Sequence, residues 1–118
     1  DESVRRVMDP HAPPIRDRLR ALEELTSAGI KTYAFVGPVL PMDPYRLARM
    51  LQGKTPEVIL DRMNYPWKVS WLYRRFGWEH ALTDMYYRSI RDAFSDILNG
   101  EALVCESDDK EVSNVGKR

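Results

Sequence analysis

Apolar positions in the first third of the chain recur at helical spacing and then give way to short unbroken runs. Ile15, Leu19, Leu22 and Leu25/Thr26 repeat every three or four residues with arginine and glutamate between them, which predicts an amphipathic helix over 15–28. Gly29 offers that helix a left-handed stop. "KTYAFVGPVL", residues 31–40, is short, β-branched and aromatic, with breakers at its end, and predicts a buried strand. Asp43-Pro44 then sets a capping carboxylate before a proline at the first helical position. Leu47, Met50 and Leu51 form the stripe of a short helix that ends at Gly53. "PEVILDRMN" predicts a second strand through Val58, Ile59 and Leu60. Val69, Leu72, Tyr73 and Phe76 follow i, i+3, i+4, i+7 up to Gly77. Thr83 is placed to cap the last long helix, where Tyr86, Ile90, Ala93, Phe94 and Ile97 make the stripe and Asn99-Gly100 the end. "EALVCE" reads as a short final strand. Residues 1–14 hold three prolines and predict a loop with one helical turn near Ser3–Met8.

The resulting order is helix, strand, helix, strand, helix, helix, strand. Such alternation argues for βα units and a parallel sheet. Two or three strands are too few for a barrel or a complete doubly wound sheet, so the pattern describes part of a larger α/β sheet. The strands are apolar throughout, as if covered on both faces. Exposed edges of such strands are adhesive, and self-association through them is expected.

Composition narrows the class. The 118 residues suffice for one domain, and 43% hydrophobic with 31% charged residues fits a globular chain. Lys and Arg number 18, as do Asp and Glu, so no overall field gathers phosphates, although a local basic patch is compatible with that balance. One cysteine, Cys105, excludes an internal disulfide framework and a cysteine-rich metal site, and suits a reducing, cytoplasmic setting. No apolar run approaches the roughly 20 residues that span a bilayer, and no membrane partner is expected. The chain opens on "DESVRRVMDP", with neither a signal-type apolar stretch nor a methionine, and is expected to be processed or part of a longer protein. The polar segment 107–118 is expected to fray.

Familiar catalytic signatures are absent: GxGxxG, the phosphate-binding P-loop, HExxH and GxSxG. No catalytic residue stands out. His11 and His80 lack ligand-spaced partners, and no metal site is expected. Parallel sheets place ligands at the carboxyl ends of strands, which favours Asp61, Arg62 and Asn64 over Glu57, and points also to Gly37 and Pro38. Asp61 in an ion pair or a turn cap is the plainer alternative. "WKVSWLYRRFGW", residues 67–78, interleaves tryptophans with Lys68, Arg74 and Arg75. That suits a nucleic-acid groove, and it suits equally a helix that buries Trp71 and Phe76 while Arg74 and Arg75 face water; zero net charge favours the second. Cys105, in a strand with no adjacent base, reads as a buried thiol.

"MDPHAPPIRDRLRALEELTSAGIKTYAFVGPVLP" resembles the middle of the radical S-adenosylmethionine proteins related to spore photoproduct lyase, the DNA repair photolyase-like group. The residues that carry the resemblance are Asp9-Pro10, Ala12-Pro13, Arg18-Leu19, Ala28-Gly29-Ile30, and the span from Pro38 to Pro41. "DESVRR" and the final helix with "EALVCE" are similar more loosely, so that residues 1–105 are covered. The resemblance implies an α/β chain forming a partial (β/α) barrel fragment, with two to three mostly parallel strands and flanking helices. Residues 1–106 would be the C-terminal half of a (β/α)6 partial barrel, and the missing N-terminal half would be its partner. That half would bring a CxxxCxxC loop with a [4Fe–4S] cluster, which cleaves S-adenosylmethionine to a 5′-deoxyadenosyl radical. This sequence departs from the group in lacking those cysteines, so the chain by itself is expected to be inactive. The resemblance also implies backbone contacts to the cofactor from Val36, Gly37 and Pro38. Arg18 is counted with them as a cofactor-binding residue, reaching a carboxylate, or else it would tie its helix to the loop before it. Asp61, Asn64 and Tyr65 would face the substrate.

Overall fold

A computed structural model describes residues 1–106. The elements are α1 (Glu2–Met8), α2 (Ile15–Ser27), β1 (Ala34–Val36), α3 (Pro44–Leu51), β2 (Glu57–Leu60), α4 (Pro66–Arg75), a 3₁₀ turn (Glu79–Leu82), α5 (Asp84–Leu98) and β3 (Leu103–Glu106). The three strands form one sheet in the order β1-β2-β3, parallel throughout. The chain is therefore α/β, as the alternation of patterns predicts.

Local chemistry sets the helix boundaries. Asp43 accepts from the N–H groups of Tyr45 and Arg46 at 3.1 and 3.2 Å, with Pro44 opening α3, and the Thr83 hydroxyl accepts from Tyr86 N–H at 3.1 Å to start α5. α2 begins differently. Its position before the first turn is Pro14, which offers no side-chain oxygen, so Glu2 of α1 reaches across and accepts from Ile15 N–H at 2.9 Å. That bond, and the Arg5 guanidinium beside it, hold the Glu2 carboxyl below its usual range.

The core lies between one face of the sheet and α3 and α5. Val58 and Leu60 of β2 are fully buried against Ala48, Leu51, Ile90, Phe94 and Leu98, with Ala34, Val36 and Val104 of the flanking strands beside them. Leu19 and Leu22 of α2 pack on the rim of this cluster, but no residue of α2 is fully buried, and Leu25 of the predicted stripe is largely exposed.

The opposite face differs from expectation. In the register, Phe35 pairs with Ile59 and Ile59 with Cys105, so these three side chains line one row across the sheet. No described helix belonging to the core covers them. Phe35 is 54% exposed and Leu103, on the same face, 61%. The strands are largely apolar on both sides, yet only one side is fully buried: on the other, Ile59 and Cys105 are partly covered and Glu57 stands beside Leu103. β1 is also shorter than the stretch 31–40: the ladder stops at Val36 because Pro38 has no N–H to donate and the chain turns at Pro41.

The two ends of the sheet are built differently. Below the amino ends, the hydroxyls of Thr26 and Thr32 lie 2.6 Å apart and those of Thr32 and Thr55 3.2 Å apart, and Thr55 also donates to the Glu57 carbonyl. This chain of satisfied hydroxyls lets Thr55 be buried without penalty. The carboxyl ends instead gather charged groups. The segment 107–118, expected to fray, lies outside the described residues.

Candidate functional site

Where β1 and β2 end, the chain itself fills the space between them. Asp61 N–H donates to the Val36 carbonyl at 3.0 Å, and Val39 N–H donates to the Asp61 carbonyl at 3.0 Å. The two strand exits are thus stitched together around Gly37 and Pro38. A Cβ on Gly37 would stand 2.5 Å from Phe35 Cε1 and 2.7 Å from Asp61 Cβ, so only glycine fits. The glycine is explained by this internal crowding. The Gly37-Pro38 peptide bond is cis.

Of the residues singled out from sequence, Val36, Gly37, Pro38 and Asp61 come together here. Asn64 and Tyr65 continue the same exit and are exposed, and Tyr65 turns to the side: its ring meets Trp67 edge-on at 5.6 Å, and Lys68 Nζ lies 4.8 Å from its centroid. Arg18 is not drawn in. It lies exposed in the first turn of α2, and its side chain makes no hydrogen bond or ion pair among the described residues.

On the helix-covered side of the same strand ends lies a group that sequence reasoning largely missed. Arg62 follows β2, and its guanidinium carbon stands 4.4 Å above the Tyr87 ring. Arg62 Nη1 pairs with Asp84 Oδ1, and Asp84 Oδ2 receives Arg88 Nε at 2.7 Å. One turn further along α5, Arg91 approaches Glu106 at the end of β3, 3.6 Å away. Tyr87 is buried, and its hydroxyl makes no hydrogen bond of normal length among the described residues but faces the Glu106 carboxylate; its pKa is pushed up to about 12, first by burial and then by that carboxylate, which favours the protonated phenol. Two signals were present in the sequence. Asp84 and Arg88 stand at i, i+4 with the acid first, and Tyr87, Ile90, Phe94 and Leu98 follow i, i+3, i+7, i+11, a stripe one residue round from the expected one.

A small cavity of about 130 Å³ opens beside this group, lined by Val39, Arg62, Met63, Thr83, Asp84 and Tyr87 among others. A larger, shallower groove of about 290 Å³ runs between α2 and α3 past Leu19 and Met50, far from the strand ends by sequence and element.

α4 corrects a further expectation. Trp71 and Phe76 are not buried: Trp71 is 62% exposed and Phe76 43%. Tyr73 occupies the inward position instead, fully buried, and Trp78 rather than Trp71 packs against it, edge-on at 5.9 Å. Trp67, one turn before Trp71, is 65% exposed. Two tryptophans thus share an outward helix face with Lys68, Arg74 and Arg75 around them.

A [4Fe–4S] cluster needs several thiolates, and Cys105 is the chain's one cysteine. Among the described residues no group of three or more His, Cys, Asp or Glu side chains is arranged to hold a metal ion. The residues present do not fit a cluster. Nor is any helix among them long and apolar enough to cross a membrane.

Fold and site together define an α/β protein with a three-stranded parallel sheet whose charged groups collect at the carboxyl ends of the strands. No protein-family model, curated protein or solved structure shows significant similarity to the chain.

Proposed function

We propose that this chain is the C-terminal part of a radical S-adenosylmethionine enzyme, a lyase-like partial barrel completed by strands that the chain does not contain. The observation that carries this reading is the apolar row Phe35–Ile59–Cys105, of which Phe35 is half exposed and Ile59 and Cys105 are only partly buried. A sequential parallel sheet with its packed helices on one face and an apolar second face is how a segment of a (β/α) barrel is built, since right-handed crossovers put every helix outside and leave the other face for the interior. Parallel sheets standing alone with one face in water are otherwise rare. The motif resemblance over residues 8–41 gives the reading its family.

When bound beside a cluster held elsewhere, S-adenosylmethionine supplies the radical chemistry. This chain's own residues would supply one wall. Gly37 and Pro38 would present backbone at the end of β1. The Val36 carbonyl already receives Asp61 N–H and its side chain packs into the helix-covered core, so Val36 would act mainly by setting the course of the backbone into Gly37 and Pro38. Asp61, Asn64 and Tyr65 would line the substrate side, and Arg18, which stands apart, would serve the helix and its loop. The test is the coding sequence upstream of Asp1. An in-frame CxxxCxxC within about 150 residues, the span of the other half of such a barrel, is the expected finding. A stop codon followed by a start codon next to Asp1 would refute the reading.

The exposure of Trp67 and Trp71 favours a second reading from a different class: a non-catalytic module that binds single-stranded nucleic acid on α4. Bases would stack on the two indoles, and Lys68, Arg74 and Arg75 would meet phosphates. Fluorescence anisotropy with a labelled oligonucleotide tests this. Binding that weakens with salt and is lost in Trp71→Ala and in Arg74→Ala/Arg75→Ala supports it, and binding unchanged by those substitutions removes it.

A further inference from the structure

We propose that Arg62, Asp84 and Arg88, with the cavity beside them, form a binding site for a small oxyanion, a phosphate or a carboxylate. The site lies on the helix-covered side of the sheet, across from Asp61, and does not rest on either functional reading above.

The two oxygens of Asp84 are divided between the two arginines, Oδ1 to Arg62 and Oδ2 to Arg88 at 2.7 Å. The trio therefore keeps a net positive charge. Of the other carboxylates acting on Tyr87, Glu106 is approached by Arg91 at 3.6 Å, and Asp61, which precedes Arg62, is engaged elsewhere in the structure. Arg62 is also held from below by the Tyr87 ring at 4.4 Å, so its planar fork is fixed from an edge and a face. Apart from the Asp84 contacts, neither guanidinium makes a hydrogen bond among the described residues, and most of their N–H donors are unspent. The Arg62 fork lines the cavity, and its spare donors match the geometry of a planar or tetrahedral oxyanion; Arg88, outside the lining, adds its charge from the far side of Asp84.

The ion pairs add little to the fold. Both arginines and Asp84 are substantially exposed, and exposed pairs contribute little to stability. The neighbouring space gives the arrangement another use. At about 130 Å³ the cavity exceeds the roughly 30 Å³ share of one water several-fold. Its wall is apolar at Val39, Met63, Ala81 and Leu82 and charged at Arg62 and Asp84. An oxyanion with a small apolar body satisfies both. The position, just past the end of β2 and beside the short 3₁₀ turn, is where parallel α/β sheets receive ligands.

The test is a titration of the chain, followed by amide and arginine Nε signals in NMR, with inorganic phosphate, with acetate, and with chloride at matched ionic strength. Saturable shifts at Ala81–Asp84 and at Arg62 Nε with phosphate or acetate, absent with chloride, are expected. The stronger of the two ligands identifies the source. Arg62→Lys keeps the charge and loses the fork, and should weaken binding roughly tenfold or more, as should Arg88→Gln. Arg88 is mostly exposed, so that second variant folds even if the first does not. Arg20→Gln, on α2, should bind as the parent does. Equal shifts with chloride, no saturation with either oxyanion, or unchanged affinity in both Arg62→Lys and Arg88→Gln would overturn the proposal.

Discussion

At one rung of the sheet, Val58 and Leu60 of β2 are fully buried beneath α3 and α5; at the rung between them, Ile59 faces the other way, between Phe35 and Cys105, where Phe35 leaves half of its surface in solvent. The residue types on the two sides are alike. What differs is whether anything has been laid against them. The covered side has its large side chains interlocked, while the open side has the composition of an interior without the contacts of one. An apolar face of this kind contributes little to the stability of the chain as it stands. Substitutions on the two faces should therefore differ in what they cost.

The largest expected effect is on the covered side. Phe94→Ala removes a fully buried ring and should cost about 3–5 kcal/mol in urea unfolding. Phe35→Ala, on the open side, should cost only about 1 kcal/mol, in proportion to its half-buried surface. Equal losses would mean that the open face is covered in solution, and light scattering on the same samples would then show association.

Next comes the seam where the two faces meet. Gly37→Ala forces a Cβ into Phe35 and Asp61, and overpacking of this kind should cost about 1–3 kcal/mol. Because the Phe35 ring is the nearer obstacle and is free on its outer side, the double substitution Gly37→Ala/Phe35→Ala should recover part of the loss. Strict additivity would show that Asp61 Cβ is the obstacle that counts.

The third test uses pH. Tyr73 and Tyr87 are buried, neither hydroxyl makes a hydrogen bond of normal length among the described residues, and both are pushed up to about 12, chiefly by desolvation, with Glu106 adding to the rise at Tyr87. The unfolded chain ionises these phenols near 10 and so holds fewer protons than the folded chain between 10 and 12. Stability is therefore whole below about pH 10 and falls as pH rises through 12. Alkaline unfolding followed by circular dichroism should show this. Tyr87→Phe should change stability by no more than about 1 kcal/mol at pH 7, since the hydroxyl it removes has only a weak approach to Glu106, and should make the alkaline loss shallower. An unchanged alkaline profile would place the Tyr87 hydroxyl in contact with water.

Much of the covered side was legible in the sequence. Asp43-Pro44 and Thr83 announce helix starts by chemistry that acts over three residues, and the strand at Val58–Leu60 stands out as a run. The open side was not legible, because Phe35 and Leu103 carry the same apolar signature whether or not a partner is present. The same ambiguity misplaced Trp71 and Phe76: of the stripe Val69, Leu72, Tyr73 and Phe76 only Tyr73 is fully buried, and Trp71, a large apolar ring off that stripe, faces outward. The site divides in the same way. Gly37 and Asp61 follow from the rule that ligands sit at strand ends, whereas Tyr87, Asp84 and Arg88 assemble on Arg62 only once α5 has folded back over β2.

The smallest expected change in stability is the most informative about α4. Its outward face repeats the situation of the open sheet face: Trp67 and Trp71 are exposed, and what packing α4 has comes through Tyr73 and the residues around Trp78. Trp71→Ala should therefore alter unfolding free energy by less than about 0.5 kcal/mol, the range of surface substitutions that touch no special feature. Tyr73→Ala, on the opposite side of the same helix, should cost several kcal/mol, as removal of a buried aromatic side chain does. The pair of values separates two roles on one helix. If Trp71→Ala instead destabilises by 2 kcal/mol or more, about the scale of a buried large side chain, the indole is held by the fold and is not available to a partner. If it is silent in stability yet quenching by iodide reaches Trp71 in the free chain and not in the presence of an oligonucleotide, the exposed indole is the contact surface.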